Sequence, residues 1–99
     1  MRSQKQRAKR LDRVRLANEI LAWLQGREEK EGLYSYASVI GPFARHKGFL
    51  KHFEIWKAWD ILKEAGRRPA LPGPVWRIDS FEPIDANEDG DIIRVPSGQ

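Results

Sequence analysis

The chain has 99 residues, enough for one domain with a modest core, which excludes an enzyme built from two domains around a cleft. Cysteine is absent, so disulfides, thiolate nucleophiles and cysteine zinc sites are excluded. The sequence contains no secretory signal and no apolar run of the roughly 18–20 residues that a membrane span needs. We therefore expect a cytoplasmic protein that does not associate with membranes.

The net charge of +4 hides a gradient along the chain. Residues 1–16 contain seven basic residues and one acidic residue, whereas residues 78–99 contain one basic and six acidic residues. A basic segment without aromatic residues cannot build a core, so residues 1–10 are predicted to form an arm that frays or lies on an anionic surface. The alternative is a solvated helix end that only keeps the protein soluble.

Apolar residues at helical spacing predict two long helices. The first runs from about Leu11 to Gln25 and has a wide apolar face. The other runs from about Leu50 to Ala65 and is closed by Gly66, a residue that suits a helix C-terminus. Trp59 lies at the centre of its apolar stripe, so we expect this side chain to be buried against the first helix.

Between the long helices, a short helix is predicted from Tyr36 to about Ile40, with Ser35 as its N-cap. Gly41-Pro42 should stop it, because proline lacks a backbone N–H and pushes the preceding residue out of the helical conformation. Phe43–Gly48 is then predicted to be a basic connector. Its basic side chains are Arg45, His46 and Lys47.

The C-terminal third of the chain predicts strands and turns. Val75–Asp79 alternates between apolar and polar residues, as a half-buried strand does. Asn87–Gly90 has the composition of a turn, and Ile92–Val95 follows it as a second strand. We expect these two strands to pair as an antiparallel hairpin with an acidic turn, and residues 96–99 to form a tail.

The order of these elements resembles that of a winged helix-turn-helix DNA-binding domain. Tyr34–Gly41 is similar to the short second helix with its turn glycine, His52–Gly66 to the third helix, and Leu71–Ile78 to the strand that enters the wing. The order is also similar to that in the DNA-binding half of alkylguanine-DNA alkyltransferases and alkyltransferase-like proteins, although the alkyl-accepting Pro-Cys-His-Arg motif has no counterpart here. The resemblance implies a single α+β winged-helix domain over residues 11–95, with three helices followed by an antiparallel β-hairpin wing.

The resemblance also implies that the third helix enters a groove of double-stranded DNA. Basic residues bracket this helix and continue into the arm, where they could contact phosphates, although solvated surface charge is the alternative. Glu54 and Asp60 lie on the same helix and would repel phosphates, so only its N-terminal part is expected to enter the groove. The predicted DNA-binding residues are Arg7, Arg10, Arg45, His46, Lys47, Lys51 and Lys57.

Phe53 and Trp56 fall outside the apolar stripe of the third helix. They pack beneath the C-terminal hairpin, or they are exposed for a protein partner or a second copy of the chain. In the latter case the chain is an adaptor or inhibitor that uses Phe53, Trp56 and the acidic hairpin, instead of a DNA-binding regulator or accessory factor. A single positive face would favour DNA, and acidic residues that interrupt this face would favour the adaptor.

No group of residues predicts catalysis or a cofactor. His46 and His52 are not joined by other ligand residues at metal-binding spacing. Asp85–Asp91 begins like an EF-hand calcium loop, but Pro96 stands where the bidentate Glu is required. We therefore expect a small non-enzymatic protein without a metal or cofactor.

Overall fold

The computed structural model describes residues 3–26, 33–48, 51–67, 75–78 and 80–93. Within these residues the chain forms three helices and four short strands, so the prediction of an α+β protein is confirmed. The elements are α1 Gln4–Gln25, β1 Leu33–Ser35, α2 Tyr36–Lys47, α3 His52–Glu64, β2 Val75–Arg77, β3 Asp85–Ala86 and β4 Ile92–Ile93. None of these helices has both the length and the apolarity to cross a membrane. The predicted tail, residues 96–99, lies outside the described residues.

Helix α1 begins at Gln4, seven residues earlier than predicted. Its first turn is closed by a capping box, in which Ser3 Oγ accepts the Gln6 N–H at 3.2 Å and Gln6 Oε1 accepts the Ser3 N–H at 2.8 Å. These two bonds satisfy backbone donors that a helix start otherwise leaves without a partner. Residues 4–10 of the predicted arm are therefore helical, which corrects the expectation of a frayed segment.

Helix α2 passes through Gly41 and Pro42, so the prediction that proline ends it is wrong. A proline inside a helix costs about 3 kcal/mol. Val39 and Phe43, one turn apart, are almost fully buried on either side of Pro42. Burying one large apolar side chain contributes roughly 1.5–3 kcal/mol. This burial offsets the cost of the proline and keeps the chain helical.

Residues 43–47 of the predicted connector consequently belong to the second half of α2. The chain leaves the helix only at Gly48, whose φ of +94° lies in the left-handed region that glycine adopts without strain. The resemblance implied a turn at Gly41. In the structure the chain leaves α2 seven residues later, at Gly48.

Helix α3 confirms the predicted third helix. Gly66 follows it with φ +73°, and the Arg67 N–H donates to Leu62 O at 2.8 Å while the Gly66 N–H donates to Lys63 O at 3.1 Å. This pair of bonds is the Schellman arrangement, which satisfies carbonyls at the helix end. Trp59 is fully buried, as predicted.

The core forms where α1 packs against α3, and α2 also packs against α3. Apolar residues recur on one face of each helix, so the helices bury these faces against one another. The largest fully buried side chains are Trp59, Phe43, Ile20, Leu21, Leu24, Ile55, Ile61, Leu62 and Val39.

The strands form two separate antiparallel pairs, so the predicted pairing of Val75–Asp79 with Ile92–Val95 is wrong. Strand β1 pairs with β2, with Leu33 opposite Arg77 and Ser35 opposite Val75. Strand β3 pairs with β4, with Asp85 opposite Ile93. The strand before the predicted turn is thus β3, which has only two residues and carries no alternation that a sequence pattern could reveal.

The turn between β3 and β4 falls at Asn87–Gly90, as predicted. Asn87 Oδ1 accepts the N–H groups of Asp89 at 2.9 Å and Asp91 at 3.0 Å, while Gly90 adopts φ +82°. An Asn side chain that bonds backbone two residues ahead holds a tight turn together. The acidic residues therefore form a defined hairpin, here called the acidic hairpin, residues 85–93.

Side chains from α1 and from the end of α3 hold the segment that leads into the acidic hairpin. The Asn18 amide donates to Ile84 O at 3.0 Å and accepts the Ile84 N–H at 2.6 Å. Arg67 donates to Glu82 O at 2.8 Å and to Pro83 O at 3.0 Å. Ile84 is buried in the core. The C-terminal segment thus folds across α1 and the C-terminal end of α3.

Candidate nucleic-acid interface

The predicted DNA-binding residues fall into two groups at opposite ends of α3. Arg7 and Arg10 lie on the first turns of α1, and the contact of Arg10 with Glu64 places them beside the C-terminal end of α3. The other five residues lie around the start and the middle of α3, whose start is about 18 Å from its C-terminal end at the helical rise of 1.5 Å per residue. They are Arg45, His46, Lys47, Lys51 and Lys57. The predicted set therefore does not form a single face.

Arg10 is a structural residue in this arrangement. Its Nε donates to Gly90 O at 2.9 Å, and its Nη2 is paired with the Glu64 carboxylate. Its side chain is only 15% exposed. One guanidinium thus joins α1, α3 and the acidic hairpin, and it is not available to a phosphate while these contacts last.

Arg7 faces the same hairpin. Its Nη1 lies 3.6 Å from Asp89 Oδ1, and both side chains are partly exposed. An exposed ion pair of this kind contributes little to stability. Its electrostatic effect is larger, because the acidic hairpin offsets the positive charge that the sequence concentrates in the first turns of α1.

Lys47, at the other end of α3, is also paired with an acid. Its Nζ lies 3.0 Å from Glu19 Oε1 on α1. The pair borders a surface groove that carries three basic and three acidic residues, so the groove itself has no net charge. It is lined by Asp12, Arg13, Arg15, Leu16, Glu19, Lys47 and Glu54.

His46 rests on two aromatic rings. Its ring centroid is 6.0 Å from that of Trp23 and 6.1 Å from that of Phe43, and these two rings meet edge to face at 5.4 Å. The His46 side chain remains exposed. The imidazole of His46 is thus held against Trp23 and Phe43 on the surface of α2.

Arg45 and Lys51 flank the turn at Gly48 and are both exposed. Neither makes an ion pair with another described residue. Lys51 is the N-cap of α3 and makes no side-chain capping bond. Within the described residues, these two cations at the start of α3 are therefore exposed to solvent.

Phe53 and Trp56 project from the first turns of α3. They are 58% and 42% exposed, and they are one turn apart, so they share a face of the helix. Lys57 Nζ lies 5.1 Å from the centroid of the Phe53 ring, which is a cation–π contact. Both rings are therefore exposed, and Lys57 lies beside that of Phe53.

Sequence reasoning missed the acidic partners. Glu19 and Glu64 are on helices that were predicted, but nothing in a linear pattern says that they lie opposite Lys47 and Arg10 in space. Asn18 binds the backbone of Ile84, a contact that the helical pattern of α1 does not indicate. The capping box at Ser3 and Gln6 did have a sequence signal, since Ser-x-x-Gln is its usual pattern.

No set of three potential metal ligands converges within the part of the chain that the structure describes. No protein family, no curated protein and no solved structure matches the chain.

Proposed function

We propose that the chain is a small, non-enzymatic winged-helix protein that binds double-stranded DNA through the last turn of α2 and the first turns of α3. One observation carries the proposal. The acidic hairpin is held against Arg7 and Arg10 at the far end of α3, which keeps its carboxylates away from Arg45 and Lys51. Negative charge beside these cations would repel phosphates, so this separation favours a polyanion. Glu19 and Glu54 remain at this end, where they offset part of its positive charge.

The architecture supports this assignment of roles. Pairing of β1 with β2 joins the segment before α2 to the segment after α3, so the two helices are held as one unit. The Schellman turn and Arg67 fix the C-terminal end of α3. The start of α3 then projects from a rigid base, which suits insertion into a groove. The acidic hairpin lies on α1 and takes no part in the contact.

The phosphate contacts are assigned to four cations, Arg45, Lys47, Lys51 and Lys57. Lys47 would exchange Glu19 for a phosphate, which is feasible because both partners of that pair are partly exposed. Each neutralised phosphate releases counterions, so four contacts give a slope of log K against log salt of about −3.5. Arg10 is excluded from this set because its guanidinium is bound inside the molecule.

The test is a titration of a labelled duplex at several salt concentrations. Replacing Arg45 and Lys51 together by Ala should flatten the slope by about two units, whatever the DNA sequence. The matched control replaces Lys5 and Lys9, two exposed cations on the first turns of α1, and should leave the slope unchanged. Equal losses of slope in both double variants would contradict the location of the site. Phosphate contacts are strong at low salt, so the absence of duplex binding at roughly 50 mM salt would contradict the function.

The exposed pair Phe53 and Trp56 supports a second candidate, an adaptor that binds a protein partner through α3. Aromatic residues are enriched at the centres of protein interfaces. This candidate would replace the first if duplex binding is absent at low salt while single substitutions at Phe53 and Trp56 leave the protein folded and abolish binding to a defined protein partner. The acidic hairpin would then serve as a polar contact of the same adaptor.

A further inference from the structure

The sequence of α3 has few of the side chains that read base edges by paired hydrogen bonds. Arg and Lys bind guanine in this way, and Asn and Gln bind adenine. Arg, Asn, Gln, Ser and Thr do not occur between His52 and Glu64. In the first turns, Lys57 lies against the Phe53 ring and Glu54 is partly buried, so apolar contacts are the main means left for distinguishing base pairs.

The outward face of the first turns offers two aromatic rings and one cation. Phe53 and Trp56 are 58% and 42% exposed on one face, while the other large apolar residues of α3 are buried. Lys57 lies against the Phe53 ring and supplies positive charge directly beside the apolar contact. Asp60 is exposed one turn beyond Trp56, so its carboxylate limits how far along the helix a phosphate-rich surface can approach.

Apolar side chains read one feature of the major groove, the C5-methyl group of thymine. Contact between a methyl group and an aromatic ring removes apolar surface of both partners from water. This contact is absent when uracil replaces thymine, and it is created when cytosine is methylated at C5. The surface of α3 therefore has the chemistry of a methyl reader flanked by phosphate-binding cations.

We propose that Phe53 and Trp56 are specificity-determining residues that recognise the C5-methyl groups of pyrimidines in the major groove of duplex DNA. The proposal rests on the proposed function, since it requires α3 to enter the groove. In this proposal the basic residues around Gly48 provide the affinity for DNA, and the two aromatic residues determine which DNA sequences are preferred. The preferred ligand is a duplex rich in thymine or in 5-methylcytosine.

The test compares duplexes that differ only in the methyl group. Burying one methyl group corresponds to about a threefold to fourfold change in affinity, so two contacts give about tenfold. The protein should therefore bind an alternating dA-dT duplex about tenfold more tightly than an alternating dA-dU duplex. It should likewise bind an alternating dG-dC duplex more tightly when its cytosines are methylated at C5.

Variants separate a methyl contact from an effect of DNA shape. Phe53→Ala should reduce the dA-dT to dA-dU ratio to about threefold to fourfold, and the double variant with Trp56→Ala should bring it close to one. Ile93→Ala is the control, because it removes another exposed apolar side chain, 51% exposed, from a different element. Ile93→Ala should retain the full ratio.

The outcomes distinguish this inference from the proposed function. Equal affinity for the dA-dT and dA-dU duplexes would overturn the methyl contact while leaving duplex binding in place. Tighter binding to single-stranded dT than to the duplex would also overturn it, since exposed aromatics then stack on unpaired bases. If the protein binds none of the duplexes, both the proposed function and this inference are contradicted.

Discussion

The two ends of α3 use charged residues in opposite ways. At the C-terminal end, Glu64 is paired with Arg10, and Arg67 donates to the backbone of residues 82 and 83. At the N-terminal end, Lys51 caps the helix without a side-chain bond, and Arg45 is exposed across the turn. We call these the closed end and the open end. Charged residues at the closed end hold the fold together, whereas the open end leaves Arg45 and Lys51 exposed and pairs only Lys47, with Glu19, among its described basic residues.

This difference shows why a charge count along the chain is a poor guide to a binding surface. The first sixteen residues are the most basic part of the sequence, yet the structure brings the most acidic part against them. The middle of the chain is only mildly basic, but its cations at the open end are mostly exposed. Position in space, and the partner that the fold supplies, decide which positive charges remain for an anion.

The largest expected effect concerns the packing of α3 against α1, on which both ends of α3 depend. Trp59→Ala should lower the free energy of unfolding by about 3–5 kcal/mol, because it leaves a large cavity between α3 and α1. Trp56→Ala, on the exposed face of the same helix, should cost about 1 kcal/mol or less. Chemical denaturation of the two variants measures the difference. Similar losses for both would mean that the inner and outer faces of α3 are assigned incorrectly.

Glycines at the two ends should respond differently to the same change. Gly90 and Gly48 both have positive φ, which strains any other residue by roughly 1–2 kcal/mol. An added Cβ at Gly90 would also lie 2.7 Å from Arg10 Cβ, whereas at Gly48 it meets nothing within 4 Å. We expect Gly90→Ala to cost about 2–4 kcal/mol, since overpacking adds to the strain, and Gly48→Ala to cost only the strain. Equal shifts in thermal denaturation would argue against close packing at the closed end.

Charge removal compares the two ends directly. Arg10→Ala removes a largely buried cation that bonds Gly90 O and pairs with Glu64, and should cost about 1.5–3 kcal/mol. Lys47→Ala breaks a partly exposed pair at the open end and should cost less than about 1 kcal/mol. Arg10→Ala should also speed amide hydrogen exchange in the Asn87–Asp91 turn, while Lys47→Ala should not. Unchanged exchange in Arg10→Ala would show that the hairpin is held by other contacts.

The smallest expected effect concerns Asp89. Asp89→Asn removes an ion pair with Arg7 that is exposed on both sides, so stability should change by no more than about 0.5 kcal/mol. Duplex binding should be unchanged or slightly stronger, because one negative charge is lost. Denaturation and a duplex titration at one salt concentration measure both. Weaker duplex binding in this variant would indicate that the acidic hairpin contributes to the contact with DNA.

Much of the helical architecture was predictable from local patterns. The apolar stripe of α3, its buried Trp59 and the glycine after it all follow from spacing along the chain. The start of α1 had its signal in the capping box at Ser3 and Gln6. The length of α2 did not, because the burial of Phe43 that outweighs Pro42 depends on neighbours distant in sequence.

The site was predictable in its residue types and less so in its geometry. Phe53 and Trp56 were identifiable because they fall outside the apolar stripe of α3. The basic residues were identifiable because they bracket this helix in the sequence. That Arg10 would be bound inside the molecule was not predictable, because its partners Gly90 and Glu64 are 80 and 54 residues away along the chain. A sequence pattern identifies a charged side chain, but it does not identify what that side chain meets.

The sequence by itself determined three helices, the aromatic residues outside the apolar stripe of the third, and an acidic turn. Helix periodicity and turn chemistry act over a few residues, so local patterns record them. Only the tertiary structure decided how the strands pair and which cations remain exposed. The pairing of β1 with β2 and the contact of the acidic hairpin with Arg7 and Arg10 join distant parts of the chain. Such contacts depend on the summed packing of the whole domain, which no local pattern records.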